Sequence, residues 1–360
     1  MALTSGDEVP NAGLVKQIIS TFIISTLPLN AGLATGWVSP MSSILTSSNS
    51  PVGVMSKEEI SYLATLPNYV GFVLSFFFGL VSNRLGRKWA LLAVGIPAMI
   101  SGAVLTFGNT KTMLYLGRVL AGFTIIGGLT TPHSYISETV HQSVRGMFMC
   151  TSMVQINIGV LVSYTLGKVL EYKESGSIFS PDDSSILIAG LTLVASLVSL
   201  LLIDRVGRRP LLYLAFIGGI ISLTVLSVYL YVQDKGANVT NLGWIPLSSL
   251  AVSVIVYSLG LGTVPSVISN EVPPANIKPA VSAMSSATIT ILIIAVVQSY
   301  PFLDQYVGLY SVFVIAVVFN VLGVFFTWFM VPETRGKTLT TIIDEMNYVQ
   351  QGFSRQIGET

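Results

Sequence analysis

Ten stretches of this chain, each at least 19 residues long, contain no Asp, Glu, Lys or Arg. The apolar core of a bilayer is about 30 Å thick, and an α-helix of about 20 residues crosses it. Only helices and closed barrels span that core, because every backbone polar group must find its partner inside the protein. The runs do not alternate apolar with polar residues and therefore predict helices: 17–56, 60–83, 89–110, 119–137, 146–167, 184–203, 210–233, 236–270, 279–303 and 305–332.

The composition agrees with an all-α integral membrane protein of about ten transmembrane helices. Hydrophobic residues make up 52% of the chain and charged residues 10%, and the mean hydropathy is +0.74, far above soluble domains. A net charge of +1 without a basic, aromatic-rich patch argues against nucleic acid. Cys150 is the single cysteine, so no internal disulfide forms and no Cys/His metal cluster is predicted. No nucleophile, base and acid are grouped, so neither an enzyme nor a cofactor is expected.

The basic residues predict the orientation, since Lys and Arg stay on the cytosolic side. With a cytosolic N-terminus, eight of the nine arginines fall inside, and both termini are expected in the cytosol. Arg118 is the exception in the fourth segment, where it must snorkel or find a partner. The sequon Asn238-Val239-Thr240 then falls in an outer loop, so we expect a glycan on Asn238.

Two charged motifs occur twice in the same order. Arg84, Gly86 and Arg87 recur 121 positions later as Arg205, Gly207 and Arg208, and Pro132, Glu138 and Arg145 recur 133 positions later as Pro265, Glu271 and Lys278. Charged turns that merely anchor helices explain basic loops but not this shared order. We therefore predict two homologous bundles, 1–170 and 184–332, joined by an outer junction at 171–183 and followed by a cytosolic tail at 333–360. Transporters are commonly built from such repeats.

The motifs cover most of the chain. They are Gly79-x4-Arg84-x-Gly86-Arg87-Lys88, Gly117-Arg118, Tyr135-Ile136-Ser137-Glu138, Arg145-Gly146, Asp204-Arg205-x-Gly207-Arg208-Arg209, Glu271 and Pro332-Glu333-Thr334-Arg335-Gly336-Lys337-Thr338-Leu339. In this order they resemble the sugar porters of the major facilitator superfamily, and most closely the insect-type facilitated trehalose and glucose transporters. The resemblance implies a major facilitator-type fold of two helical bundles and a small sugar as substrate.

The resemblance also implies a set of cytosolic gate residues. Ion pairs between the arginines and Glu138, Glu271 and Glu333 would hold the two bundles together while the protein faces outward, and would part when it faces inward. Gly86 would permit the tight turn between two helices, and the arginines can also reach helix C-termini. Asn83 stands where the family usually has Asp. The full set is Asn83, Arg84, Gly86, Arg87, Arg118, Glu138, Arg145, Asp204, Arg205, Gly207, Arg208, Glu271, Lys278, Glu333 and Arg335.

The repeat reveals that a pair of helices is missing. The charged turn follows the second segment of the first half but the first available segment of the second half, so the second half lacks its opening helix. Against the family, the sixth and seventh helices and the central loop are absent, and the gap falls near residues 170–178. The loss of two helices leaves the orientation unchanged. The groove that they would leave makes a homo-oligomer, or association with a full-length transporter, a hypothesis.

The resemblance implies that the missing seventh helix is the one that supplies the family's densest group of sugar-contacting amides. Asn157 and Gln155 in the fifth segment remain as candidates to line a sugar path, although lone amides in spans also bond to neighbouring helices. The first segment has no acid where proton-coupled relatives place an Asp, which favours facilitated diffusion of trehalose or a hexose across the plasma membrane. Pro28, Gly32, Gly260, Gly262 and Pro265 allow helices to bend. The alternative is a non-transporting relative: a sensor, a partner of a full-length transporter or an incomplete gene product.

Overall fold

The computed structural model describes residues 20–48, 50–84, 86–140, 145–175, 182–237, 242–271, 273 and 278–331. These ranges contain long helices and no β-strand, so the all-α prediction is confirmed. The helices are α1 (Thr26–Gly36), α2 (Val38–Thr46), α3 (Lys57–Arg84), α4 (Arg87–Phe107), α5 (Lys111–Thr139), α6 (Arg145–Ser175), α7 (Asp182–Val206), α8 (Arg208–Asp234), α9 (Ile245–Leu259), α10 (Val264–Glu271), α11 (Lys278–Tyr306) and α12 (Tyr310–Met330).

Nine helical segments of the described ranges are long and apolar enough to cross a membrane, with α9 and α10 counted as one. The tenth sequence-predicted span, the first along the chain, is helical over residues 20–46 but interrupted at Ser25 and Trp37. Pro28 and Pro40 each follow an interruption by three residues. Proline lacks an N–H group, and its ring displaces the carbonyl four residues earlier. Each interruption therefore lies in the turn that a proline weakens.

The chain divides into two compact units, Met1–Ser163 and Tyr164–Thr360. In the first unit, α5 is the central helix and packs against α1, α3 and α4. Its glycines allow the close approach: a methyl group on Gly122 would lie 2.8 Å from the Pro67 carbonyl oxygen, and one on Gly127 would meet Phe78 at 2.9 Å. Small residues at helix crossings are the usual solution in membranes, where dispersion contacts hold helices together.

In the second unit, α8 packs against α9 on one side and α12 on the other, and α7 packs against α9. Glycines again lie at the crossings. Gly218 faces Val256 of α9, while Gly219 lies against the side-chain amide of Asn320, and Gly323 of α12 lies against the ring of Phe216. A small residue at each crossing brings the helix backbones together.

Candidate functional site

The two arginine-rich turns have the same backbone conformation. Gly86 precedes α4 with φ 87° and ψ 169°, and Gly207 precedes α8 with φ 103° and ψ 164°. These angles lie in a region that only glycine adopts readily. Arg84 and Arg205 are exposed at the ends of the preceding helices. The repeat found in the sequence is therefore a repeat of local structure as well.

The arginines that follow Gly207 bond to the ends of two helices. Arg208 is buried and donates from Nη1 to the carbonyl of Ile203 at 3.2 Å. Arg209 donates from Nη2 to the carbonyl of Trp328 at 2.7 Å. Ile203 and Trp328 belong to the last turns of α7 and α12, whose carbonyls have no partner in their own helix. A cation at a helix C-terminus is also favoured by the helix dipole.

The carboxylates expected to pair with these arginines lie outside the described residues or have side chains that are not described. The same holds for most of the remaining gate set and for the glycosylation site. These residues are Asn83, Arg87, Glu138, Arg145, Asp204, Glu271, Lys278, Glu333, Arg335 and Asn238. The gate ion pairs and the glycan accordingly remain predictions.

The first segment packs backbone to backbone against α6. Gly32 lies against the backbone of Ile156, and Gly159 lies against the Leu29 carbonyl. A methyl group on Gly159 would be 2.7 Å from the Leu33 nitrogen and 3.0 Å from the Gly32 carbonyl carbon. Gly32 therefore serves a close helix crossing, a role beyond the flexibility inferred from the sequence.

This crossing places the two candidate amides of α6 on opposite flanks of the surface that faces α1. Asn157 and Gln155 are both half-buried, and two residues correspond to about 200° of helix rotation. The backbone atoms of Ile156 and Gly159, which contact α1, lie between the two amides around the helix. Within the described residues neither amide makes a hydrogen bond. The two amides therefore face different surroundings, and their roles in lining a sugar path remain predictions.

Arg118 is 1% exposed and bonds to backbone carbonyls that irregular helices leave short of donors. Its Nε donates to the Leu63 carbonyl at 2.9 Å and its Nη1 to the Ala34 carbonyl at 2.7 Å. Leu63 precedes Pro67 by four residues, so its carbonyl has no helical N–H partner. Ala34 precedes the interruption at Trp37, whose ring lies 5.6 Å from the guanidinium. The charge of Arg118 therefore joins α1, α3 and α5.

Two interactions of Glu59, which lies at the start of α3, were not predicted from the sequence. Glu59 accepts from the Ser56 amide at 2.8 Å while its own amide donates to the Ser56 hydroxyl at 3.2 Å, which is a capping box at the start of α3. The carboxylate of Glu59 also pairs with Lys111 of α5 at 2.8 Å. The Ser-x-x-Glu spacing ahead of an apolar run could have indicated the capping box.

The partner of Arg118 could have been suspected from Pro67 inside the run 60–83, because a proline leaves the carbonyl four residues earlier without a helical donor.

The family model described as sugar (and other) transporter matches residues 20–180 and 178–346. The chain belongs to this family. The two matches meet at residues 178–180, beside the place where the sequence predicts that a helix pair of the family is missing. Both halves of the chain are therefore represented in the family match.

Two curated relatives differ from this member of the sugar transporter family in length. The facilitated trehalose transporter Tret1 of Drosophila willistoni is 22% identical in an alignment that covers 92% of this chain and 51% of that protein. The one from Polypedilum vanderplanki is 21% identical and is covered over 88% of its length. The chain thus spans about half the length of the Drosophila relative. The first alignment has 444 positions, so about a quarter of them have no residue in this 360-residue chain.

Solved structures show the fold of this sugar transporter family member. The proton:xylose symporter XylE bound to 6-bromo-6-deoxy-D-glucose has a TM-score of 0.72 at 16% identity, over 89% of this chain and 97% of that chain. The inward-open xylose transporter XylE from E. coli has a TM-score of 0.66 at 17% identity, over 91% and 99% of the two chains. The major facilitator fold is thereby confirmed.

Proposed function

We propose that the chain carries a sugar, trehalose or a hexose, across the plasma membrane down its concentration gradient by alternating access of its two helical bundles. The match of the sugar transporter family model to both halves carries this proposal. The relatives named facilitated trehalose transporters support the choice of sugar. Both termini would lie in the cytosol, and Asn238 would carry a glycan outside.

Uniport, without a coupled proton, is supported by the first segment and its neighbours. Residues 17–56 contain no Asp or Glu, and a proton-coupled path needs a titratable group within the membrane. Arg118 bonds there to the carbonyls of Leu63 and Ala34. An arginine satisfied by backbone carbonyls does not depend on a carboxylate that gains and loses a proton.

Sugar specificity would rest in part on Asn157. Sugar hydroxyls need partners inside the membrane, because an unmatched buried polar group costs about 1–3 kcal/mol. Asn157 is half-buried on one flank of α6, and it makes no hydrogen bond within the described residues. Its amide is therefore available to a sugar. Gln155, on the other flank, serves as the matched control.

The test is uptake of labelled trehalose and glucose by cells that express the full chain, with surface abundance quantified. We expect saturable uptake that does not respond to a proton gradient. The N157A variant should lose about fivefold or more in kcat/KM, which corresponds to about 1 kcal/mol or more, and Q155A should retain wild-type uptake. No saturable uptake at normal surface abundance would refute transport, and proton-dependent uptake would refute uniport.

A second candidate is a non-transporting relative that senses sugar or assembles with a full-length transporter or with itself. The observation that favours it is the missing quarter of the alignment with the trehalose transporter relative. Grafting the family's sixth and seventh helices into the chain distinguishes the two. If only the grafted chain takes up sugar at equal surface abundance, the natural chain is a sensor, a partner of a full-length transporter or an incomplete gene product.

A further inference from the structure

The helix pair α9 and α10 is interrupted by a turn at residues 260–263, and this turn takes a donor away from one carbonyl. The amide of Gly262 bonds to the Tyr257 carbonyl at 2.8 Å, and the amide of Thr263 bonds to the Gly260 carbonyl at 3.2 Å. In an unbroken helix the Thr263 amide would bond to the carbonyl of Leu259. The turn thus leaves the Leu259 carbonyl without its helical partner inside an apolar span.

A serine from the neighbouring helix α7 supplies the replacement donor. Ser199 Oγ lies 3.0 Å from the Leu259 carbonyl oxygen and 2.9 Å from the hydroxyl oxygen of Thr263. A serine hydroxyl has a single hydrogen. Ser199 donates it to the carbonyl, so the Thr263 hydroxyl donates to Ser199. Both side chains are fully buried, so this short chain of hydrogen bonds has no competition from water.

The first half of the repeat provides an internal comparison in which the helix is unbroken. Applying the two repeat offsets, Ser199 corresponds to Phe78 and Thr263 to Thr130. Thr130 bonds through its own hydroxyl to the carbonyl four residues earlier, at 3.0 Å. The proline at the matching position, Pro132, lies inside the continuous helix α5. Proline therefore does not by itself break the helix at this point of the repeat.

The packing against the helix differs in the same place. In the first half Gly127 lies against the rings and methyls of Phe78 and Val94. In the second half the matching Gly260 lies against Ala215 and the Leu211 carbonyl, and Ala215 matches Val94 by the same offset. Two bulky residues are thus replaced by a serine and an alanine. The smaller pair leaves room for the turn, and the serine hydroxyl donates a hydrogen bond to the Leu259 carbonyl that the turn leaves without a partner.

We propose that Ser199 and Thr263 form a hydroxyl switch between a broken and a continuous α9–α10 helix. In the broken state, Ser199 bonds to the Leu259 carbonyl. In the continuous state the Thr263 amide takes over that carbonyl, and the Thr263 hydroxyl turns back to it as Thr130 does in the first half, since a carbonyl accepts two hydrogen bonds. Neither state leaves the carbonyl unpaired. The switch involves α7, α9 and α10 alone and does not depend on which sugar, if any, is carried.

Hydrogen exchange of the purified full chain in lipid nanodiscs, read by mass spectrometry over residues 259–267, tests the switch. In the broken state the amide of Leu261 makes no hydrogen bond within the described residues, whereas a continuous helix protects it. The S199A variant should shift the balance toward the continuous helix. Exchange of the Leu261 amide should slow by up to about threefold, the shift that corresponds to the average interhelical hydrogen bond of about 0.6 kcal/mol in membranes.

The matched control is S196A in the same helix. Ser196 is also buried, but its hydroxyl bonds to the Leu193 carbonyl of its own helix at 2.8 Å. Exchange should be unchanged in S196A and in S199T, which keeps a hydroxyl, and should lie between in S199C, whose S–H is a weak donor. Unchanged or faster exchange in S199A, or equal slowing in S196A, would overturn the proposal. If S199A does not fold, the S199C result decides by the same criterion.

Discussion

Pro67 and Arg118 should depend on each other in their effect on stability. In R118M the carbonyls of Leu63 and Ala34 lose their side-chain donor, and each buried carbonyl without a partner costs about 1–3 kcal/mol. Removal of a buried charge offsets part of that loss, so the single variant is not decisive. In a P67A background the amide of residue 67 can bond to the Leu63 carbonyl, so R118M then leaves only the Ala34 carbonyl without a donor. We expect a coupling free energy between about 0.6 kcal/mol, the membrane average for one hydrogen bond, and about 3 kcal/mol.

The assay is equilibrium unfolding of the full chain in mixed micelles by a denaturing detergent. Cys150 is the single cysteine and is buried within α6, so its reactivity with a thiol probe reports unfolding. P97A is the matched control. Pro97 lies within α4 of the same unit and leaves the Ala93 carbonyl without a helical donor, but Arg118 does not bond to that carbonyl, so no coupling with R118M is expected. The P97A cycle should be additive within about 0.5 kcal/mol. The same additivity in the P67A cycle would refute the assignment of Arg118.

The same unfolding assay tests three further contacts. G159A should lower the free energy of unfolding by about 1–3 kcal/mol, because its methyl group meets the backbone of α1. The control G102A has nothing within 4 Å of the added methyl group and should leave the stability unchanged or raise it by up to about 1 kcal/mol. Equal stability of the two variants would contradict the close crossing of α1 and α6. G207A should cost about 1–3 kcal/mol, since only glycine readily adopts its φ of 103°, while G190A should cost nothing. E59Q should lower the stability only slightly, because Glu59 and Lys111 are each about one-third exposed and exposed ion pairs contribute little. A loss as large as that of G159A, or one that added salt does not reduce, would show a stronger role.

Much of the fold could be predicted because the bilayer imposes strong local requirements. Nine of the ten charge-free runs correspond to helices of the described residues that are long and apolar enough to cross a membrane. The repeated motifs indicated the two halves, and the ordered motifs along the chain indicated the family, since each depends only on nearby residues. Gly86 and Gly207 were predictable as turns for the same reason. Arg118 was identified only as a residue that must find a partner. Its partners lie 55 and 84 positions away in the sequence, and nothing local indicates them.

The candidate site was less predictable, because it depends on which faces of the helices meet. Spacing favoured Asn157 over Gln155, and the crossing at Gly32 and Gly159 places the two on opposite flanks of α6. A helix wheel gives their angular separation without telling which direction faces a neighbour. The choice of Asn157 as the sugar-contacting candidate therefore remains a proposal for the uptake assay.

Hydrophobicity and motif order alone were enough to predict the membrane class, most of the spans, the two homologous halves and a missing helix pair. The tertiary structure decided what happens where a helix is weakened. Pro132 and Pro265 occupy matching positions, yet α5 is continuous and the α9–α10 helix is broken. The physical reason is that a freed carbonyl inside the membrane needs a donor. The residue that the neighbouring helix places beside the carbonyl, Phe78 in the first half and Ser199 in the second, decides whether such a donor is present, and it is far away in the sequence.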